Sequence, residues 1–376
     1  MKNLLYILVL FLSFSCSLSE KSRAEYTPNP KTIDSSLLEV DPGFKLTASK
    51  IDKFFKQKLK RRLFNGTILF AQDGKIVHKG AYGFANYKKK TPLEINSVFQ
   101  LASVSKPLTA YAILYLYEQG ELSLNDTIDK FIPEFPYKGI TIKHLLTHRS
   151  GLTNYMYFTD EKWADWTLPI SNREVIDLMI EHKPSSYYKP NRRYNYSNTG
   201  YIILADIVER VSGMTFERFM RKKIFEPLGM KNSKVKPYRL GQNYYEPVVG
   251  HIEYRFRRIG KTYLNGTVGD KGIYSTVEDM FIWDRALKEG SLVSKRILNE
   301  AFEGCHKDLR KNDNYGYGWR INDVNENKKI VYHRGWWKGF RTYFIRVLDE
   351  DKTIVVLNNS TYGRFLKNSE LIDLLS

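Results

Sequence analysis

Ser103 and Lys106 place a hydroxyl and an amine three residues apart. Residues at that spacing share one helix face, so the amine can reach the hydroxyl. The chemistry such a pair offers is acyl transfer. An unactivated serine is a weak nucleophile, and a lysine kept out of water is one of the few groups able to take its proton near neutral pH. The element that must position them follows directly. From Leu108 the chain runs Leu-Thr-Ala-Tyr-Ala-Ile-Leu-Tyr-Leu-Tyr with no helix breaker before Gly120. The pattern predicts a buried helix over 103–119, with Pro107 tolerated in its first turn. Ser103 then lies near the helix N-terminus, where unpaired N–H groups favour negative charge. The same Ser-x-x-Lys spacing occurs at Ser186 to Lys189 and at Ser233 to Lys236, in Pro-rich or turn-like surroundings where solvated side chains are expected.

Two further stretches carry polar residues beside regular elements. Tyr196-Ser197-Asn198 precedes an apolar helix from Tyr201 to Val211, and His333-Arg334-Gly335 ends a strand. Tyr263-Leu264-Asn265 repeats the Tyr-x-Asn spacing, but Asn265-Gly266 reads as a turn. His144 and His148 have the i, i+4 spacing of a zinc pair without the Glu that a metalloprotease helix places after its first His, so structural roles are expected. No Gly-x-Ser-x-Gly elbow occurs, which argues against an α/β-hydrolase.

Behind these residues the hydrophobic pattern changes period. Apolar Ile51, Phe54, Phe55, Leu59 and Leu63 face away from Lys56, Lys58, Lys60, Arg61 and Arg62, predicting an amphipathic helix over 47–63. Thr67–Ala71 and Lys75–His78 flank Gln72-Asp73-Gly74, a strand, turn and strand signal. Near the other terminus, Lys329–His333, Arg341–Val347 and Thr353–Asn358 read as strands, followed by a closing helix near 366–375. Between them lie helical patterns at 103–119, 141–148, 172–182, 198–212, 215–225 and 276–288. The expected fold is α/β of the α+β kind: an antiparallel sheet from both chain ends, flanked by helices, with an inserted helical lobe.

Composition sets the outer bounds. At 376 residues, 42% hydrophobic and 14% aromatic, the chain can bury one large core or two joined lobes and is not a disordered chain. Lys2, the apolar run Leu4–Phe14 and Ser15-Cys16 fit an export signal, and Cys16 resembles the lipid-accepting cysteine of bacterial lipoprotein signals. The alternative is an ordinary signal cleaved elsewhere, with Cys16 discarded. This predicts a lipoprotein-type signal peptide over 1–16, a polar tether over 17–46 and a hydrolase domain over 47–376. The expected location is the bacterial cell envelope, anchored to the membrane by lipid. Cys305 is expected to be a buried small apolar residue, not half of a disulfide. The net charge of +18 is spread along the chain without a nucleic-acid-binding motif, so a basic surface facing anionic lipid or acidic cell-wall polymer is expected, and nucleic acid is not.

Taken in order, these motifs resemble the serine β-lactamase and penicillin-binding superfamily, specifically its class C-like branch. Further matching segments are Phe99–Pro107, His144–Leu152, Pro227-Leu-Gly-Met230, Gly272-Ile-Tyr-Ser-Thr276 and Tyr315-Gly-Tyr-Gly-Trp319, and the resemblance spans roughly 48–376. It implies that Ser103 is the acylated nucleophile, that Lys106 shares its proton and that Tyr196 is a proton acceptor. Asn198 would hold the substrate amide and orient Lys106. His333, Gly335 and Trp336 would line the substrate site, with backbone N–H groups of Ser103 and Trp336 forming the oxyanion hole. No metal or organic cofactor is implied, because acyl transfer needs only side chains and water.

The chain departs from the family at His333-Arg334-Gly335, where antibiotic-hydrolysing members carry Lys-Thr-Gly or a close relative. His333 is expected to be only partly charged at neutral pH, and Arg334 to alternate to the other strand face. Histidine here resembles the esterases and D-amino-acid peptidases of the branch. The leading expectation is therefore an exported serine hydrolase acting on a small ester or peptide-like amide, cell-wall fragments included. A β-lactamase or penicillin-binding protein is the alternative within the class. A non-catalytic envelope protein that binds cell-wall polymer is the alternative from another class.

Overall fold

The computed structural model describes residues 35–241, 248–252, 257–306, 314–325 and 328–376. The expected signal segment, Cys16 and the first part of the expected tether lie outside the described residues.

Helix α1 (Lys45–Lys60) buries Ile51 and Phe55, one turn apart, and leaves Lys56 and Lys60 in solvent. Strands β1 (Gly66–Gln72) and β2 (Lys75–Tyr82) follow as a hairpin. Its two turn residues, Asp73 and Gly74, both have positive φ, at 52° and 75°, the geometry whose twist matches paired strands. Then come the helices of the inserted lobe, among them α2 (Ser105–Glu118), α3 (Ile142–Leu146), α4 (Tyr155–Lys162), α5 (Asn172–His182), α6 (Thr199–Ser212) and α7 (Val277–Glu289). The chain returns through β3 (Asn314–Tyr315), β4 (Arg320–Asn325), β5 (Lys328–Trp337), β6 (Phe340–Val347) and β7 (Lys352–Asn358), and ends near α8 (Asn368–Ile372).

These strands form one antiparallel sheet in the order β3-β4-β5-β6-β7-β1-β2. The two chain ends meet where β1 pairs with β7, from Gly66 opposite Asn358 to Gln72 opposite Lys352. Six of the seven β1 residues are buried because both sheet faces are covered. One core, with Trp283, Phe344 and Val355, lies between sheet and helical lobe; the other, with Phe55, Phe70, Ile345 and Leu371, lies under α1 and α8. The Trp283 ring stacks on Trp319 at 5.6 Å and on Phe344 at 5.1 Å, joining α7 to the sheet.

Three features differ from the sequence expectation. Of the tether expected over 17–46, residues 35–44 dock on the sheet edge: Val40 bridges to Ile76, Lys79 donates to the Leu38 carbonyl, and Asp41 pairs with Lys75. The helix expected over 215–225 turns π-helical across Met220–Phe225. The α4 helix, the helix Lys295–Ala301 and the β3–β4 hairpin were not expected. β3 has only two residues, too few for a periodic signal.

Candidate active site

Ser103 lies on a 3-10 turn, Ala102–Val104, that leads into α2. Ala102 has φ 50°, a left-handed conformation that a side chain disfavours and that here sets the approach to the nucleophile. The turn is clamped from two sides. Thr342 of β6 donates to the Leu101 carbonyl at 2.6 Å, and the Leu101 N–H donates to Ile273 at 2.9 Å. Gly335 packs against the same turn so closely that a Cβ there would sit 2.4 Å from the Leu101 carbonyl and 3.0 Å from Ala102.

Lys106, in the first turn of α2, is completely buried. Its Nζ lies 3.2 Å from Ser103 Oγ, 2.8 Å from Asn198 Oδ1 and 3.0 Å from the Asp270 carbonyl. Those three partners suit either protonation state. As ammonium it donates to all three; as amine it donates to Asn198 and Asp270 and turns its lone pair to the Ser103 proton. Burial draws its pKa down to about 7; the Asp270 carboxylate opposes that shift and Arg320 reinforces it. Tyr196 sits beside the pair, its ring 5.0 Å from Lys106 Nζ. Burial pushes its phenol up to about 12, while its hydrogen bond with Ser103 pulls the other way. Near neutral pH it is therefore Lys106 that titrates, and Tyr196 keeps its proton.

The structure thus brings Ser103, Lys106, Tyr196 and Asn198 together, and all but the buried Lys106 line a cavity of about 540 Å³. Gly335 and Trp336 also line it, and the Trp336 side chain is 58% exposed at its rim. His333 does not. It is 1% exposed, lies behind the cavity wall, and hydrogen-bonds with the Tyr315 hydroxyl at 3.1 Å and the Arg334 carbonyl at 2.9 Å. Burial, with Arg320 and Lys106 nearby, holds its pKa well below the usual value, so it is neutral, not partly charged. Arg334, expected on the far face, lines the cavity instead. Among the described residues β4 pairs with β5 only as far as Tyr332, so the last residues of β5 present a free edge. Side chains from both faces can border it.

The two histidines of the zinc-like spacing have separate tasks. His144 accepts from the Thr141 N–H and caps α3, whereas His148 is wedged among the rings of Tyr194, Tyr196, Tyr201 and Tyr315 and accepts from the Ser197 N–H. Asn265 of the second Tyr-x-Asn accepts from Trp337 Nε1 at 3.1 Å and shapes the cavity wall. Cys305 is half-buried, and burial pushes its thiol pKa up.

Sequence reasoning missed three cations at the cavity. Lys271, 3% exposed, bonds to Tyr155, Thr267 and the Asp270 carboxylate, with its Nζ 4.9 Å from the Trp337 ring. Burial draws it down to about 8, opposed by Asp270. Arg320 lies over the Tyr196 ring at 5.5 Å, and its side chain has no hydrogen bond or ion pair among the described residues. Arg334 is held by Asn368 Oδ1 at 2.8 and 3.0 Å. Their signals were adjacency to noted motifs: Lys271 precedes Gly272-Ile-Tyr-Ser-Thr276 and Arg320 follows Trp319.

A nucleophile, a desolvated base and an antiparallel sheet closed by both chain ends define a serine hydrolase of the penicillin-binding type. Residues 51–375 match the Beta-lactamase family model, and the chain belongs to that family. It is 35% identical to penicillin-binding protein 4* of Bacillus subtilis, over 82% of this chain and 71% of that protein. It is 27% identical to the teichoic acid D-alanine hydrolase of Staphylococcus aureus, over 89% of this chain and 78% of that one. The solved octameric penicillin-binding protein homologue from Pyrococcus abyssi superimposes with TM-score 0.72 at 29% identity, over 83% of this chain and 73% of that chain.

Proposed function

We propose that this serine hydrolase cleaves a D-amino-acyl ester or peptide-like amide whose leaving part carries negative charge, through an acyl-enzyme on Ser103. The observation that carries the reading is Arg320: an unpaired guanidinium on the cavity wall beside Tyr196, with Lys271 and Arg334 nearby and Asp270 as the carboxylate among the lining residues. A cation without a carboxylate partner in a half-enclosed site favours an anionic ligand. The names of two relatives, a penicillin-binding protein and a teichoic acid D-alanine hydrolase, accord with such substrates.

In this mechanism Ser103 Oγ attacks the carbonyl carbon while its proton passes to the Lys106 amine. The backbone N–H groups of Ser103 and Trp336 hold the oxyanion, a donor contribution worth about 3 to 4 kcal/mol. Collapse expels the leaving group, which takes the proton from Lys106 by way of the Tyr196 hydroxyl. Water then attacks the Ser103 ester, its proton passes by Tyr196 and Lys106 to Ser103 Oγ as the Oγ–acyl bond breaks, and the free acid leaves. Asn198 fixes the Lys106 amine and offers its amide to the acyl group. The free edge of β5 at Gly335 gives a peptide-like substrate backbone partners in extended conformation. His333, neutral where a β-lactamase carries lysine, supports ester or D-amino-acid peptidase turnover over efficient β-lactam hydrolysis. In this reading export and lipid anchoring at Cys16 tether the enzyme to a bacterial membrane, facing the periplasm or the cell surface.

The test compares a D-alanyl ester bearing a phosphate, its uncharged analogue and a chromogenic cephalosporin, each with wild type and Ser103→Ala. Preferred turnover of the charged ester, lost in the variant, is expected. Turnover of that ester by the variant at the wild-type rate refutes the Ser103 assignment.

A further inference from the structure

The catalytic cavity does not end at its own wall. Phe365 borders it on one side and, on the other, borders a second cavity of about 780 Å³ between the end of α1 and the chain segment before α8. Arg341 lies over the same ring at 4.8 Å. The link is repeated one strand away: Arg334 of the catalytic cavity is held by Asn368, whose neighbours Lys367 and Ser369 line the second.

The second cavity carries four cations, Lys58, Arg61, Arg364 and Lys367, against two carboxylates, Glu370 and Asp373. Lys58 is taken by Glu370 at 2.9 Å. Arg61, Arg364 and Lys367 are exposed and hold no side-chain hydrogen bond or ion pair among the described residues. These three and, in the adjoining catalytic cavity, Arg334 and Arg320 have no carboxylate partner among the described residues, and a ligand with repeating negative charge would offset their mutual repulsion. A single small anion fills one cavity only. A bilayer is a poorer occupant of the second cavity, because membrane-surface sites present apolar side chains for insertion, and none of the large exposed apolar residues borders it.

We infer that this groove is an extended subsite for a linear polyanion whose acylated unit lies at Ser103. The inference rests on the hydrolase reading above and adds to it a polymer as substrate class. The ester then reaches Ser103 as a pendant group, while charges further along the chain lie past Phe365 on Arg61, Arg364 and Lys367.

The experiment uses the full chain and the double variant Arg364→Gln/Lys367→Gln, neither position belonging to the catalytic machinery. Turnover of a small uncharged D-alanyl ester reports on Ser103. Long-chain inorganic polyphosphate, polyglutamate and tripolyphosphate are the competing probes, with fluorescence anisotropy of labelled polyphosphate as a direct binding readout. Wild type is expected to be inhibited by either long polyanion more strongly, per charge, than by tripolyphosphate, with inhibition falling steeply as salt rises. In the double variant the inhibition constant for the long chains is expected to rise about tenfold, as contacts to repeating charges are lost, with small-ester turnover unchanged. Equal potency of long and short anions per charge, or an unchanged constant in the variant, overturns the subsite. So does binding to anionic vesicles that the variant loses while polyphosphate fails to bind. If no ester is turned over, it is the hydrolase reading that fails, and anisotropy still decides the groove.

Discussion

Lys106 should set the acidic limb of the pH–rate profile. Its amine is the group that must accept the Ser103 proton, and burial brings its pKa to about 7. An ordinary lysine has only about one amine in 3,000 unprotonated at pH 7, whereas a pKa near 7 leaves about half in the active form, a gain of about three orders of magnitude. Acylation should therefore fall about tenfold for each pH unit below the midpoint and level off above pH 8. The sign of neighbouring changes follows from charge. Removing the Arg320 cation, which lowers the Lys106 pKa, should move the midpoint to higher pH; removing the Asp270 carboxylate, which raises it, should move it lower. Lys106→Arg keeps a charge that cannot be discharged in this range, and should lose at least about 1,000-fold. The assay is kcat/KM for an uncharged ester from pH 5 to 9, so that substrate ionisation does not enter. A profile flat to pH 5, or a midpoint above 9, refutes the role given to Lys106. A midpoint in Arg320→Gln that moves down refutes the electrostatic argument alone.

Three further outcomes are expected. Asp284 is fully buried, and although burial pushes its carboxyl up, Arg346 and Arg285 outweigh that and hold it below the usual range; Asp284→Ala should cost about 3–5 kcal/mol in denaturant unfolding by leaving the buried Arg346 without a carboxylate, while Arg285 keeps Asp351. Because that carboxyl is depressed in the folded state, its contribution is present above pH 4 and disappears as pH falls through the folded pKa. Gly335→Ala should cost about 1–3 kcal/mol through overpacking against Leu101 and Ala102, and should lower kcat, measured with a short ester, because the displaced atoms adjoin Ser103. Trp336→Ala should raise KM while leaving unfolding free energy within about 0.5 kcal/mol of wild type, since the ring is mostly in solvent.

Much of this arrangement was legible because its signals are local. Three-residue spacing put Lys106 beside Ser103, and the run from Leu108 supplied the buried helix that desolvates it. Alternating apolar residues at both termini gave the sheet, and Asp73-Gly74 its hairpin turn. What stayed hidden depends on distant packing. Period-2 patterning put His333 on the inner face of β5 but could not show that Tyr315 and the wall behind Tyr196 would cover it. Nothing in the sequence marks Asp270-Lys271 as buried, yet Tyr155 and Trp337 converge on it from two other segments, joined by Thr267 just upstream. Arg320 depended on a hairpin whose first strand has two residues. The polar composition of 35–44 looked like tether, although its backbone finds partners on the edge of β2.

The central claim is an activated Ser103, and intact-protein mass spectrometry after exposure to a serine-reactive fluorophosphonate tests it most directly. The account predicts a single added label, located on Ser103 by peptide mapping, formed faster at pH 8 than at pH 6 and absent from both Ser103→Ala and Lys106→Met. No label on the folded wild-type chain, or a label that persists in Ser103→Ala, contradicts it.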